Sequence, residues 1–135
     1  MATFWRRIRE IFYGAAGEED QEVGAIAEVQ PAATRVTDEG SVRLDGGVRV
    51  QQAGEELLIA YGGPLAQTGR PLFLHYGYGP GAWREVRERR MVKRRDGVYE
   101  VGLPLMLAAG SLEFCFRNDI GDWDNNNGKN WSYRP

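Results

Sequence analysis

The order of apolar and polar residues divides the chain into a helical pattern at the N-terminus and a longer pattern of short strands. Five apolar residues recur at the spacing of one helix face: Phe4, Trp5, Ile8, Ile11 and Phe12. Residues 1–14 are therefore predicted to form a short amphipathic helix. Residues 15–40 are small, acidic and poor in aromatic side chains, which is typical of a linker or an extended arm.

From residue 41 to the C-terminus, alternating stretches are separated by turn residues. Asp45-Gly46-Gly47 and Asp96-Gly97 each stand between two such stretches, as hairpin turns do. The sequence SLEFCFRN at residues 111–118 alternates apolar and polar side chains cleanly. Short strands in this arrangement predict an all-β fold, an immunoglobulin-like antiparallel β-sandwich, preceded by the short helix and the linker.

Composition narrows the classes of function. The 135 residues are enough for one domain, and 17 basic against 19 acidic residues leave a net charge of −2, so bulk attraction to nucleic acid is not expected. Residues 84–95 are locally basic, which a solvated, charged edge strand explains; phosphate contact and an acidic protein partner are the alternatives.

One cysteine and one histidine exclude a disulfide framework, a cysteine-rich zinc site and multi-histidine metal sites. We expect no metal and no cofactor.

Neither a membrane span nor a secretory signal is expected from the sequence. No run of about 18 apolar residues is available to span a bilayer, and the early arginines are not followed by the apolar run of a secretory signal. Together with the single thiol, this predicts a cytoplasmic protein without membrane contact.

The segment from Arg117 to Tyr133, RNDIGDWDNNNGKNWSY, carries the most unusual chemistry. Its Asn, Asp and Gly residues are typical of a long tight turn, but a turn does not explain two tryptophans among them. An indole can stack on the apolar face of a pyranose ring, while asparagine supplies both donors and acceptors for the hydroxyl groups. We therefore interpret the segment around Trp123 as a sugar-binding loop.

A second aromatic cluster lies at residues 75–83, HYGYGPGAW, around a Gly-Pro-Gly turn. This cluster is a weak signal by itself. His75 is also consistent with a hydrogen-bonded histidine at the end of a strand, and Trp83 with a core residue.

The two clusters together resemble carbohydrate-binding module family 25 and its relative family 53, which are starch-binding β-sandwich modules. The segments that carry the resemblance are LHYGYGPGAW (74–83), Met91, DGVYEV (96–101) and FCFRNDIGDWDNNNGKNW (114–131). The resemblance covers about residues 41–135 and leaves the first 40 residues without a counterpart.

The resemblance implies a non-catalytic module that binds an α-1,4-glucan such as starch, glycogen or a malto-oligosaccharide. It implies that His75, Trp83 and Trp123 form the ligand platform. It also implies that polar residues of the last loop bond the sugar: Asp124, Asn125, Asn126, Lys129 and Asn130. Because neither a secretion signal nor a catalytic domain accompanies the pattern, an intracellular glucan such as glycogen is the expected ligand.

Three other interpretations stay open at this point. Asp119, Asp122 and Asp124 could be proposed as a catalytic acid and base, but carboxylates within one short loop are more typical of turn formation. The spacing of Asp122, Asp124 and Asn126 matches the start of a calcium loop without its later ligands, so a weak structural cation in the 119–126 loop is left open. The stripe at residues 4–12 could dock on a protein partner or on a second copy, in an adaptor module whose sugar site is lost.

Overall fold

The computed structural model describes residues 35–106 and 110–135 and, before them, two dipeptide strands. The chain divides into two compact units, residues 1–32 and 33–135. In the first unit, β1 (Trp5–Arg6) pairs antiparallel with β2 (Gly17–Glu18). The helix predicted for residues 1–14 lies outside the described residues, apart from β1, where the backbone is extended instead of helical.

The second unit is built from β-strands. Its strands within the described residues are β3 (Val42–Leu44), β4 (Val48–Ala53), β5 (Glu56–Tyr61), β6 (Leu72–Gly79), β7 (Arg84–Arg90), β8 (Val92–Lys93), β9 (Tyr99–Pro104), β10 (Ser111–Asn118), β11 (Trp123–Asp124) and β12 (Trp131–Tyr133). Only short 3-10 turns, and no α-helix, interrupt them in the part of this unit that the structure describes. The all-β prediction is confirmed to this extent.

The strands form two antiparallel sheets. The first sheet has the order β3-β4-β5-β9-β8, and the second has the order β11-β10-β6-β7, with β12 also pairing with β10. Both predicted hairpins are present: Asp45–Gly47 joins β3 to β4, and the turn around Asp96-Gly97 joins β8 to β9. The glycines of both turns have positive φ, which explains why the sequence needs glycine there.

Side chains from both sheets share one hydrophobic core. Alternate residues of β5, β6, β9 and β10 are buried in it, and the sequence alternation predicts this for Leu112, Phe114 and Phe116 of β10. Tyr61 stacks on Phe116 with ring centroids 4.1 Å apart, and Trp131 packs against Phe114 and Phe116. The Trp131 indole N–H donates to the carbonyl of Asp45 at 2.8 Å, so this second tryptophan of the C-terminal loop is a core residue.

Residues 35–40 pack on the outer face of the first sheet. Val36 is buried against Leu58 and Ala60, and its backbone N–H donates to Glu100 Oε2 at 3.0 Å. The contacts of this unit therefore begin ahead of residue 41, where the composition predicts that the linker ends. The sequence does not reveal these contacts, because a single buried valine leaves no periodic pattern.

The charged segment at residues 84–95 begins with β7, the edge strand of the second sheet. Every residue of β7 is exposed, in agreement with the interpretation of a solvated edge. Arg89 reaches from this edge to the first sheet and donates to the carbonyl of Gly102 at 3.1 Å. Among the described residues, no helix has the length and hydropathy that a membrane span requires.

Candidate functional site

The outer face of the second sheet presents the candidate site. In the pairing of β6 with β10, His75 lies opposite Cys115, and Phe73 lies opposite Arg117. The intervening residues of both strands fill the core, so strand alternation places these four residues on the other face of the sheet. Of the four, Cys115 is buried and packs with the core residues. Alternation along β6 thus places the single histidine of the chain on the outer face, with a half-buried imidazole.

Trp83 reaches this face because β6 has a glycine below it. A Cβ atom at Gly77 would lie 2.9 Å from Trp83 Cβ and 3.1 Å from the carbonyl oxygen of Arg84. The absence of a side chain at residue 77 therefore lets the indole lie against the strand. The β6–β7 turn that carries Trp83 is held by Arg84, which donates to the carbonyl of Gly79 at 3.1 Å.

Trp123 reaches the same face through a turn organised by Asn118. The fully buried amide of Asn118 accepts the backbone N–H groups of Ile120 and Asp122 at 3.1 and 2.8 Å. The chain then returns along β10, and Trp123 pairs with Arg117, a residue of the outer face. Trp123 is 50% exposed, which leaves a large apolar side chain in contact with water.

The three rings form one cluster, which we call the aromatic platform: His75, Trp83 and Trp123. The imidazole lies between the indoles, with its centroid 5.9 Å from that of Trp83 and 5.2 Å from that of Trp123. Its plane is inclined by 36° to the first indole and by 88° to the second, so the two indoles are not parallel. The structure thus brings together three residues that the sequence places in two separate segments.

A charged pair borders the aromatic platform. Glu88 Oε2 lies 3.0 Å from His75 Nδ1, and both Glu88 oxygens accept N–H groups of Arg117 at 2.6 Å. The hydrogen bonds from Arg117 hold the pKa of Glu88 below its ordinary value, and the hydrogen bond with His75 lowers this pKa further. Arg117 also lies over the Phe73 ring, 4.5 Å from its centroid.

The sequence did not single out Glu88 or Arg117. Glu88 is one charge among many in the edge strand, and Arg117 is one outward residue of an alternating strand. Only the order β10-β6-β7 brings the two side chains together across β6.

Asp124, predicted to bond a sugar, points to the core. It pairs with Phe116 in the β10–β11 ladder, and its Oδ2 accepts the hydroxyl of Tyr61 at 2.6 Å. Its Oδ1 accepts the backbone N–H of Asn126 at 3.2 Å. Burial raises the pKa of Tyr61 well above its ordinary value, and the hydrogen bond to Asp124 raises the pKa further.

The other polar residues of the predicted ring shape the loop itself. Asn125 Oδ1 accepts the N–H of Gly128 at 2.9 Å, and the Asn126 side-chain amide donates to the carbonyl of Asn130 at 3.1 Å. Asn126 and Asn130 have φ of 58° and 57°, a conformation that asparagine tolerates better than most residues. Lys129 is exposed on the same loop. Contact of these four residues with a sugar stays a prediction.

The remaining carboxylates of the loop also have structural partners. Asp119 accepts two hydrogen bonds from Arg70 at 2.7 and 3.1 Å, which lower the pKa of Asp119. Asp122 accepts the Asn118 amide at 3.1 Å. Within the described ranges, no group of three His, Cys, Asp or Glu side chains is arranged to hold a metal ion.

Comparison with known proteins identifies a similar region in one class of enzyme. An alpha-amylase of Clostridium acetobutylicum is 34% identical to this chain over 80 residues, which is 59% of this chain and 10% of the amylase. The chain therefore spans about a tenth of the length of that relative, and the similarity is to a region of it. No protein-family model matches the chain. No solved structure matches it.

Proposed function

We propose that residues 33–135 form a non-catalytic module that binds α-1,4-glucan chains. The observation that carries the proposal is the aromatic platform, in which residues from two separate segments meet on one exposed sheet face. The strand order and the platform are consistent with an immunoglobulin-like sandwich of carbohydrate-binding module family 25 or 53. Similarity to a region of an amylase supports a polysaccharide as the partner.

The platform has the chemistry that a glucan requires. Indole rings provide flat apolar surfaces for the C–H faces of glucose units, and the imidazole between them offers a ring nitrogen to a hydroxyl group. Because the indoles are inclined to one another, they suit successive units of a curved α-1,4 chain better than those of a flat β-1,4 chain. Binding on an open face buries little of the ligand, so we expect dissociation constants of roughly micromolar to millimolar.

The carboxylates of the loop support binding without catalysis. A glycosidase needs two carboxyl groups on either side of the scissile bond. Asp119, Asp122 and Asp124 instead pair with Arg70, Asn118 and Tyr61. A cytoplasmic location, and glycogen as the natural glucan, stay predictions from sequence.

Calorimetric titration with maltoheptaose tests the proposal, with cellohexaose as the control ligand. We expect saturable heat with the α-glucan alone. Trp123→Ala and Trp83→Ala should each weaken binding by at least about 30-fold, equivalent to about 2 kcal/mol for an aromatic anchor. Val42→Ala removes an exposed apolar side chain from the other sheet and should leave the affinity unchanged. Unaltered binding by folded Trp123→Ala would show that the platform is not the site.

A further inference from the structure

We infer that Glu88 is a positioning residue of the glucan site, which holds the His75 imidazole by Nδ1 and leaves Nε2 for a sugar hydroxyl. This inference rests on the proposed function and adds a residue that neither sequence motif contains.

The position of Glu88 follows from the strand register. Glu88 of β7 is the direct neighbour of His75 of β6, so both side chains leave the same face of the sheet. The distance of 3.0 Å between Glu88 Oε2 and His75 Nδ1 is that of a hydrogen bond. Neighbouring strands therefore place the carboxylate beside one ring nitrogen only.

Arg117 holds the carboxylate from the opposite side. The strand order β10-β6-β7 makes the guanidinium of Arg117 reach across β6 to Glu88. Two N–H groups of Arg117 donate to the two carboxylate oxygens at 2.6 Å, a fork-like arrangement that restricts rotation of the carboxylate. The Phe73 ring beneath the guanidinium restricts Arg117 in turn. Glu88 is thus fixed before any ligand arrives.

The chemistry of the pair determines the tautomer of His75. An ionised carboxylate only accepts hydrogen bonds, so Nδ1 of His75 must carry the proton in the bond to Glu88. In the neutral ring, Nε2 is then an acceptor for the O–H of a glucose unit. The two inclined indoles on either side of the imidazole restrict its rotation. Loss of Glu88 should therefore have a larger effect on which ring nitrogen carries the proton than on the position of the ring.

Imidazole NMR spectra test the inference, because His75 is the only histidine and its ring signals need no assignment to a residue. The couplings of the two ring nitrogens to the carbon-bound ring protons distinguish Nδ1 from Nε2. At a pH where the ring is neutral, the ¹⁵N shifts of the wild type should be those of the Nδ1–H tautomer. Glu88→Gln should move them to a mixture of tautomers and weaken maltoheptaose binding about tenfold. Glu85→Gln, which neutralises another glutamate of β7 that pairs with Arg87, should change neither quantity.

A double mutant separates positioning from a general structural effect. In a His75→Ala background, Glu88→Gln should have no further effect on affinity, because there is no ring left to hold. An equal loss in both backgrounds, or wild-type tautomer in Glu88→Gln, would overturn the inference. If Glu88→Gln does not fold, Glu88→Ala, which removes the carboxylate, serves in the same measurements with the same expected results.

Failure of the proposed function would give a different result from failure of this inference. It would appear as a wild type that binds no maltoheptaose. The tautomer measurement would then still decide whether Glu88 holds His75: the Nδ1–H form would support that part, and a mixture of tautomers would overturn it.

Discussion

The hydroxyl of Tyr61 joins the core to the loop that carries Trp123, and its removal is the sharpest test of that arrangement. The hydroxyl donates to Asp124 Oδ2 at 2.6 Å and accepts the N–H of Leu65 at 3.1 Å. Tyr61→Phe removes both bonds and keeps the ring, which stacks on Phe116 at 4.1 Å. The substitution therefore changes polar contacts with little change in packing.

The size of the effect follows from the two bonds. A hydrogen bond to a charged partner contributes about 1.5–3 kcal/mol, and a buried N–H left without its acceptor costs about 1 kcal/mol or more. We expect Tyr61→Phe to lower the free energy of unfolding by about 2–4 kcal/mol. Because Asp124 follows Trp123 directly, maltoheptaose binding should weaken as well.

Urea unfolding monitored by tryptophan fluorescence measures the loss. Tyr133→Phe is the matched control, since its hydroxyl only accepts a surface bond from Gln52 at 3.2 Å and should cost less than about 0.5 kcal/mol. A double-mutant cycle of Tyr61→Phe with Asp124→Ala should show coupling of about 1.5 kcal/mol or more. If Tyr61→Phe lowered the free energy of unfolding no more than Tyr133→Phe does, the hydroxyl of Tyr61 would not anchor the loop.

Three further predictions concern the outer face of the second sheet. Burial raises the pKa of the Cys115 thiol to about 11, so at pH 8 the folded protein should react with iodoacetamide far more slowly than the protein in urea; equal rates would contradict this. The pKa of Glu88 is lowered mainly by Arg117, so its stabilising contribution is present above the ordinary pKa of about 4.5 and disappears as the pH falls. Wild-type protein should accordingly lose more stability than Glu88→Gln between neutral and acidic pH in parallel urea titrations. Gly77→Ala should cost about 1–3 kcal/mol and weaken glucan binding, because its methyl group would press on Trp83; normal affinity would exclude that contact.

The sequence was most informative where structure depends on neighbouring residues. Alternation identified the strand at residues 111–118 and the faces of its side chains, and Asp-Gly pairs identified two hairpins. These signals work because side-chain direction in a strand and positive φ in a turn are local properties.

The motifs in the sequence singled out Trp123 of the C-terminal loop and assigned no role to Trp131, and the structure places the two rings in different environments. Trp131 enters the core, whereas Trp123 stays half exposed on the outer face. Their immediate neighbours are similarly polar, so the difference comes from strand pairing: Trp131 lies opposite Phe114 of the core face, and Trp123 lies opposite Arg117 of the outer face.

Strand pairing also separates the features that a local pattern reveals from those that appear only in the folded chain. Local patterns in the sequence predicted an all-β module and its turns, and the family resemblance pointed to the three rings of the aromatic platform. Folding brings Asp124 to the hydroxyl of Tyr61 and places Glu88 and Arg117 beside His75. These contacts join strands distant in the chain, and only the pairing order of the strands determines which side chains meet across a sheet.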